Sequence, residues 1–191
     1  GSKIIGGNQP IWVQSMLKTP LTRLDEALKE TEELQKAGVE ILRVAVPSEK
    51  EVPYLKQYRK QVSLPLVADI HFRASLAWAV MEAGVDKIRF NPGNTKSGKE
   101  IREIVRAAKQ SGIAIRLGVN AGSLPPEFYI EYADRMPEAM VRALLFFLKD
   151  CEAEGFDQIV ISLKSSRVRD TVEAYRMLAE RVPYPFHLGI T

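Results

Sequence analysis

Two textures alternate along the chain. Short apolar runs rich in β-branched residues occupy Ile11–Met16, Ile41–Val46, Leu66–Ile70, Lys87–Phe90, Ile113–Val119, Gln158–Leu163 and Phe186–Ile190. Such runs predict strands buried on both faces. Between them lie longer stretches whose apolar positions repeat with the helical period. Leu24, Leu28, Thr31 and Leu34 share one face, as do Ile101, Ile104, Val105 and Ala108, and Val141, Leu144, Leu145 and Leu148. The joints between the two textures are also alike. Helices are predicted to end at Gly38, Gly84, Gly112 and Gly155, each followed by an apolar residue (Val39, Val85, Ile113, Phe156). Glycine enters the left-handed conformation of a helix C-terminus without a Cβ penalty, and the next apolar side chain covers the helix end.

Apolar strands alternating with helices predict a parallel sheet covered by helices. An open doubly wound sheet and a closed barrel both satisfy this pattern. A doubly wound sheet gathers its functional groups near one switch point. Here polar residues recur at the C-terminal end of nearly every predicted strand, which favours a (β/α)8 TIM-type barrel. About seven strands and six helices are predicted over a single domain, residues 1–191. A whole barrel takes about 250 residues, so the last helix, the eighth strand and the closing helix are expected to be missing and the chain reads as a fragment. The stretch from Asn120 to Met136, with Gly122, Pro125 and Pro126, is expected to be a long loop on the active face.

The residues that interrupt the apolar strands carry the chemistry. Arg43 lies within Ile-Leu-Arg-Val-Ala-Val. Asp69 and His71 close the third run, and Arg89 and Asn91 the fourth. Arg116 lies in the fifth with Asn120 beyond it; Ser162 and Lys164 end the sixth; His187 opens the seventh. Asp69 and His71 are two apart, as are Arg89 and Asn91, and Ser162 and Lys164, so each pair points to one side of its strand. Facing a helix layer, these charges would carry a large desolvation cost. Facing the barrel mouth, they meet a ligand or a partner charge. Arg43, Arg89, Arg116 and Lys164 come from four strands. Converging, they would repel one another unless an anion were present, and the guanidinium fork matches phosphate oxygens. Asn91, Asn120 and Ser123 add neutral hydrogen bonds. Asp69 and His71 are candidates to orient a hydroxyl or move a proton; Asp69 is equally suited to be the counter-ion of Arg43 or Arg89. Gly93, Gly118 and Gly122 read as turn residues. Trp12, Trp78, Phe146 and Phe147 read as core or helix packing, and Cys151 as a structural residue on a helix.

Bulk properties narrow the partners. The 191 residues are 46% hydrophobic and carry a net charge of +3. That balance gives no global field for nucleic acid. No apolar run reaches the roughly 18 residues of a membrane span. One cysteine rules out an internal disulfide framework and fits a reducing cytosol. Two histidines and one cysteine, far apart, have no metal-ligand spacing. No phosphate-binding glycine loop is present. Gly1-Ser2 reads as a cloning remnant.

The strand-end motifs match a known family. Val-Gln-Ser-Met (13–16), Arg-Val-Ala-Val-Pro (43–47), Leu-Val-Ala-Asp-Ile-His-Phe (66–72), Asp-Lys-Ile-Arg-Phe-Asn-Pro-Gly-Asn (86–94), Ile-Arg-Leu-Gly-Val-Asn-Ala-Gly-Ser-Leu (115–124), Ile-Ser-Leu-Lys-Ser-Ser (161–166) and His-Leu-Gly-Ile-Thr (187–191) resemble, in order, the barrel domain of 4-hydroxy-3-methylbut-2-enyl diphosphate synthase. The resemblance implies an oxidoreductase of the non-mevalonate route to isoprenoids. It reductively opens 2-C-methyl-D-erythritol 2,4-cyclodiphosphate with two electrons and loss of water. It also implies that Arg43, Arg89, Arg116 and Lys164 grip the diphosphate, with Asn91, Asn120, Asp69 and His71 nearby. A [4Fe–4S] cluster in a separate C-terminal domain, a homodimer, and ferredoxin or flavodoxin as electron donor are implied as well. The cluster's ligands are not in this chain, so the chain is expected to bind the substrate without reducing it. Leu17-Lys18 departs from the family's usual small polar residues after Ser-Met. Two other readings compete: a Schiff-base aldolase acting through Lys164, and a self-associating scaffold with exposed strand edges.

Overall fold

The computed structural model describes residues 3–70, 73–94, 98–132 and 134–189. Six strands form one parallel sheet: β1 (Gln14–Met16), β2 (Ile41–Val46), β3 (Leu66–Ile70), β4 (Lys87–Phe90), β5 (Ala114–Asn120) and β6 (Ile159–Lys164). Their spatial order follows their order in the chain, β1-β2-β3-β4-β5-β6. A doubly wound sheet reverses direction at a switch point; this sheet winds one way throughout, as in a barrel. The helices are α1 (Leu24–Lys36), α2 (Val52–Arg59), α3 (Ala74–Glu82), α4 (Gly98–Ser111), α5 (Pro126–Glu131), α6 (Met136–Ala153) and α7 (Val168–Ala179).

Side-chain parity divides the sheet. Leu42, Val44, Leu66, Ala68, Ile88, Phe90, Ile115, Leu117 and Ile161 project from one face and are 0% exposed. They pack beneath the helix layer with Ala77, Ile104, Val105, Leu144 and Leu178. Each of these side chains larger than alanine contributes about 1.5–3 kcal/mol by leaving water. The other parity of the same strands holds the polar residues. This strict division is why charged residues can interrupt such apolar strands without disturbing the core.

The four predicted joints are present. Gly38, Gly84, Gly112 and Gly155 all have positive φ. The amides of Val39, Ile113 and Phe156 reach back to the carbonyls of Leu34, Ala108 and Cys151 at 3.0, 3.0 and 3.2 Å. This is the double-bonded glycine stop of a helix, with a buried apolar residue after it. Polar contacts also join neighbouring helices. Thr31 of α1 shares a hydrogen bond with Tyr58 of α2, and Arg106 of α4 makes two 2.8 Å bonds to Glu154 beyond α6.

Some expectations need correction. The stretch from Asn120 to Met136 is not a plain loop: it contains a 3-10 turn (Ala121–Ser123) and α5, which makes seven α-helices among the described residues where about six were expected. Pro126 opens α5 because its fixed φ suits a first helical position; proline density alone was read as irregularity. The seventh strand is reduced to one bridge, Phe186 beside Ile161, with residues 190 and 191 outside the described set. At the next rung the amide of Leu163 donates to the hydroxyl of Tyr175, at 2.8 Å. Of the aromatic residues read as core or helix packing, Trp78 and Phe146 are 40% and 53% exposed, and Phe146 packs on Phe128 and Phe147.

Candidate functional site

The sheet register decides which polar residues meet. Asp69 of β3 lies opposite Arg89 of β4, and Arg89 opposite Arg116 of β5. The three form one row across adjacent strands. Arg43 of β2 lies one step lower, opposite Val67, and its guanidinium reaches diagonally to Asp69. Nε of Arg43 donates to Asp69 Oδ2 at 3.1 Å, and Nη2 donates to the same oxygen. The other carboxylate oxygen accepts from Arg89 Nη1 at 3.0 Å. Asp69 is thus the shared counter-ion of two arginines, with both oxygens engaged. That arrangement fixes the guanidinium planes.

Arg116 has a different environment. It is 8% exposed, and its Nε donates to Ser162 Oγ of β6 at 3.0 Å. Burial, then Arg43 and Arg89, push its guanidinium down to about 10. Two buried donors of the row have no hydrogen-bond partner among the described residues: Arg89 Nε and Arg116 Nη1. Buried donors are normally satisfied, so these two mark a place where an acceptor belongs. His187 senses the same field. Burial, followed by Arg116, Lys87, Arg43 and Arg89, pushes its imidazole down to about 3, so it is neutral near neutral pH.

Above the row, β5 and β6 continue the polar face with Gly118 opposite Ser162 and Asn120 opposite Lys164. Gly118 was expected in a turn; it lies inside β5. A Cβ there would stand 2.9 Å from Ser162 Oγ and 3.4 Å from Arg89 Nε. The glycine leaves the space that the Arg89 guanidinium needs. Asn91 and Ser123 act on the loops. The Asn91 amide nitrogen donates to Ser123 Oγ at 2.7 Å, and its Oδ1 accepts from Gly93 N–H at 3.0 Å. Asn91 thereby ties the 3-10 turn Pro92–Asn94 to the turn Ala121–Ser123. Its 7% exposure suits that clamp. Lys164 is half-buried at the end of β6. His71 lies outside the described residues. The strands therefore bring together Arg43, Asp69, Arg89, Arg116, Ser162 and the field around His187, while Asn91 and Ser123 stand at the rim.

Lys87 was missed from sequence. It has the same parity as Arg89, two residues on, and is 5% exposed. It lines a cavity of about 450 Å³ at the N-terminal strand ends with Ile41, Val67, Ala114 and Val160. Burial, then Arg116, lowers its amine to about 8. The two-residue spacing that pairs Arg89 with Asn91 extends back to Lys87 and could have found it. Gly118 carries no such signal, because its role depends on neighbours distant in sequence.

The described residues do not fit an iron–sulfur cluster. Cys151, the chain's one cysteine, is 0% exposed within α6, and burial pushes its thiol up to about 12. No group of three or more potential metal ligands occurs among the described residues. No helix among them is long and apolar enough to cross a membrane.

Comparison with known proteins agrees with the geometry. Over 191 residues the chain is 48% identical to the 4-hydroxy-3-methylbut-2-en-1-yl diphosphate synthase (flavodoxin) of Caldanaerobacter subterraneus subsp. tengcongensis, covering 100% of this chain and 54% of that protein. It is 46% identical over 187 residues to the protein of the same name from Symbiobacterium thermophilum, covering 98% and 50%. The chain thus spans about half the length of these curated relatives. Among solved structures, a truncated 3-deoxy-D-arabino-heptulosonate 7-phosphate synthase from Thermotoga maritima superposes with a TM-score of 0.68 at 14% identity, over 97% of this chain and 66% of that one. Dihydropteroate synthase from Yersinia pestis superposes with a TM-score of 0.65 at 16% identity, over 92% and 72%. At those identities the likeness is one of fold. The GcpE TIM-barrel domain model matches residues 1–191, and with the barrel winding and the strand-end motifs in place, the chain belongs to the GcpE TIM-barrel family.

Proposed function

We propose that this chain is the substrate-binding barrel of a 4-hydroxy-3-methylbut-2-enyl diphosphate synthase, an oxidoreductase that opens 2-C-methyl-D-erythritol 2,4-cyclodiphosphate with two electrons and releases water. The observation that carries the reading is the row of Arg89 and Arg116 beside Arg43. It has one carboxylate among three guanidiniums and two buried donors lacking an acceptor. A diphosphate supplies both missing elements, negative charge and several acceptor oxygens. Arg43 and Arg89 are held in plane by Asp69, Arg116 by Ser162; binding then needs little reorganisation. In this reading Asp69 orients the arginines rather than moving a proton, since both of its oxygens already accept. Asn120, Lys164 and His187 face the substrate from β5, β6 and the segment after Pro185.

The described residues hold no ligand set for a redox cluster, so the electrons enter from elsewhere in the active enzyme. Flavodoxin is the donor that the relatives' names support, and the homodimer implied by the family resemblance belongs to the same proposal. A single buried cysteine suits a reducing cytosol.

Calorimetric titration with the cyclodiphosphate tests this reading. The chain is expected to bind saturably, and Arg116→Ala, checked for fold by circular dichroism, to bind at least about tenfold more weakly, as for loss of a charged buried hydrogen bond. Heat-silent titration of a folded chain, confirmed by an orthogonal binding assay, would remove the proposal.

A further inference from the structure

The pairing between β6 and the segment that follows Pro185 stops abruptly. Ile161 N–H donates to Pro185 O at 2.9 Å, and His187 N–H donates to Ile161 O at 2.8 Å. In a parallel ladder the next bond, two residues on, would run from Leu163 N–H to His187 O. It does not. Leu163 N–H donates instead to the hydroxyl of Tyr175, at 2.8 Å. That hydroxyl donates in turn to His187 O, at 2.6 Å. One oxygen from α7 stands between the donor and acceptor of the missing rung. A direct bond would hold those atoms about 2.9 Å apart; two bonds through an intervening oxygen hold them well beyond that.

The hydroxyl is firmly placed. Tyr175 is 9% exposed, and its ring packs on Phe186 at 5.3 Å between centroids. Burial pushes its phenol upward, which keeps the O–H available as a donor. The residues flanking the opened rung are Ser162 and Lys164 on β6 and His187 opposite. Ser162 carries Arg116, and His187 sits in the field of the arginine row.

We propose that Tyr175 is a positioning residue: its hydroxyl is a spacer that splays the strand ends and sets where Ser162, Lys164 and His187 stand around the anion. The spacer follows from the backbone ladder alone. The effect on the ligand rests on the reading of this face as a diphosphate site.

The test is Tyr175→Phe in the chain as it stands, which keeps the ring on Phe186 and removes only the oxygen. Three quantities are read: amide hydrogen exchange at Leu163, the thermal midpoint, and cyclodiphosphate affinity. The spacer predicts that Leu163 either exchanges at least about tenfold faster or, if the strands close, acquires a direct through-bond coupling to the His187 carbonyl. Positioning predicts that the dissociation constant rises about tenfold at temperatures where the variant is fully folded. A merely structural role would lower the midpoint and leave that constant unchanged, which would overturn the positioning claim. A Leu163 amide as protected as in the parent, with no new coupling, would overturn the spacer. If the parent itself does not bind the cyclodiphosphate, the proposed function and the positioning claim fail together, whereas the spacer is still judged by Leu163 exchange without ligand.

Discussion

At the scale of single residues, the polar face is organised by unequal partners. Asp69 serves two arginines at once, while Lys87 has no hydrogen bond or ion pair among the described residues. Sequence parity brought Arg43, Asp69, Arg89, Arg116 and Ser162 to one face, because alternation along a strand is a local property. It could not show that Asp69 and Arg89 stand in register, nor that Asn91 spends its amide on Ser123 and Gly93, because those contacts depend on how distant segments align. Lys87 yields a sharp expectation. Its amine, pressed down to about 8 by burial and Arg116 and supported in part by Asp86, binds its proton less tightly in the folded chain than in the unfolded one. Below pH 8 both states are protonated and the whole penalty is present. Between about 8 and the ordinary 10.5 the unfolded chain holds more protons, so stability rises with pH. Lys87→Met is therefore expected to stabilise the protein by on the order of 2–3 kcal/mol at pH 7, with the gain shrinking as pH climbs from 8 towards 10.5. Urea denaturation of both proteins across that range checks the sign. An equal gain at every pH would point to packing instead of charge.

At the scale of elements, the glycine joints and the apolar strands were readable because each is set by a few consecutive residues. The seventh strand and α5 were not. One is reduced to a single bridge among the described residues, with a tyrosine hydroxyl from a helix on the next amide, and the other hides in a proline-rich stretch. β1 shows what the helices do not protect. It pairs with β2 along one side and has no strand on its other side among the described residues. Around it Ile11 is 94%, Val13 52% and Met16 37% exposed. An uncovered strand edge with apolar neighbours invites pairing with another chain. The weight-average sedimentation coefficient is expected to rise with protein concentration. Ile11→Lys should suppress that rise while leaving the thermal midpoint within about 2 °C, since exposed substitutions usually change stability by no more than ~0.5 kcal/mol. A coefficient independent of concentration in the parent would show the edge to be innocuous.

At the scale of the whole molecule, the strand order settles a question that the pattern of textures left open. Alternating strands and helices allow both an open sheet and a barrel. Polar residues at almost every strand end pointed to the barrel, and a sheet that winds in one direction bears that out. The apolar parity then builds the core and the polar parity gathers the charged groups, so the two sets share strands without sharing side chains. The row of guanidiniums has a thermodynamic corollary. Because cations are gathered where burial already disfavours them, the empty protein holds mutual repulsion that an anion relieves. Any anion that fits only the folded form becomes a stabiliser of it, by RT ln(1 + [L]/Kd), or about 2.7 kcal/mol at a hundredfold excess over Kd. The melting temperature is accordingly a property of the buffer as much as of the chain: it should stand higher in pyrophosphate than in chloride at equal ionic strength, and the difference should vanish when Arg116 is replaced by alanine.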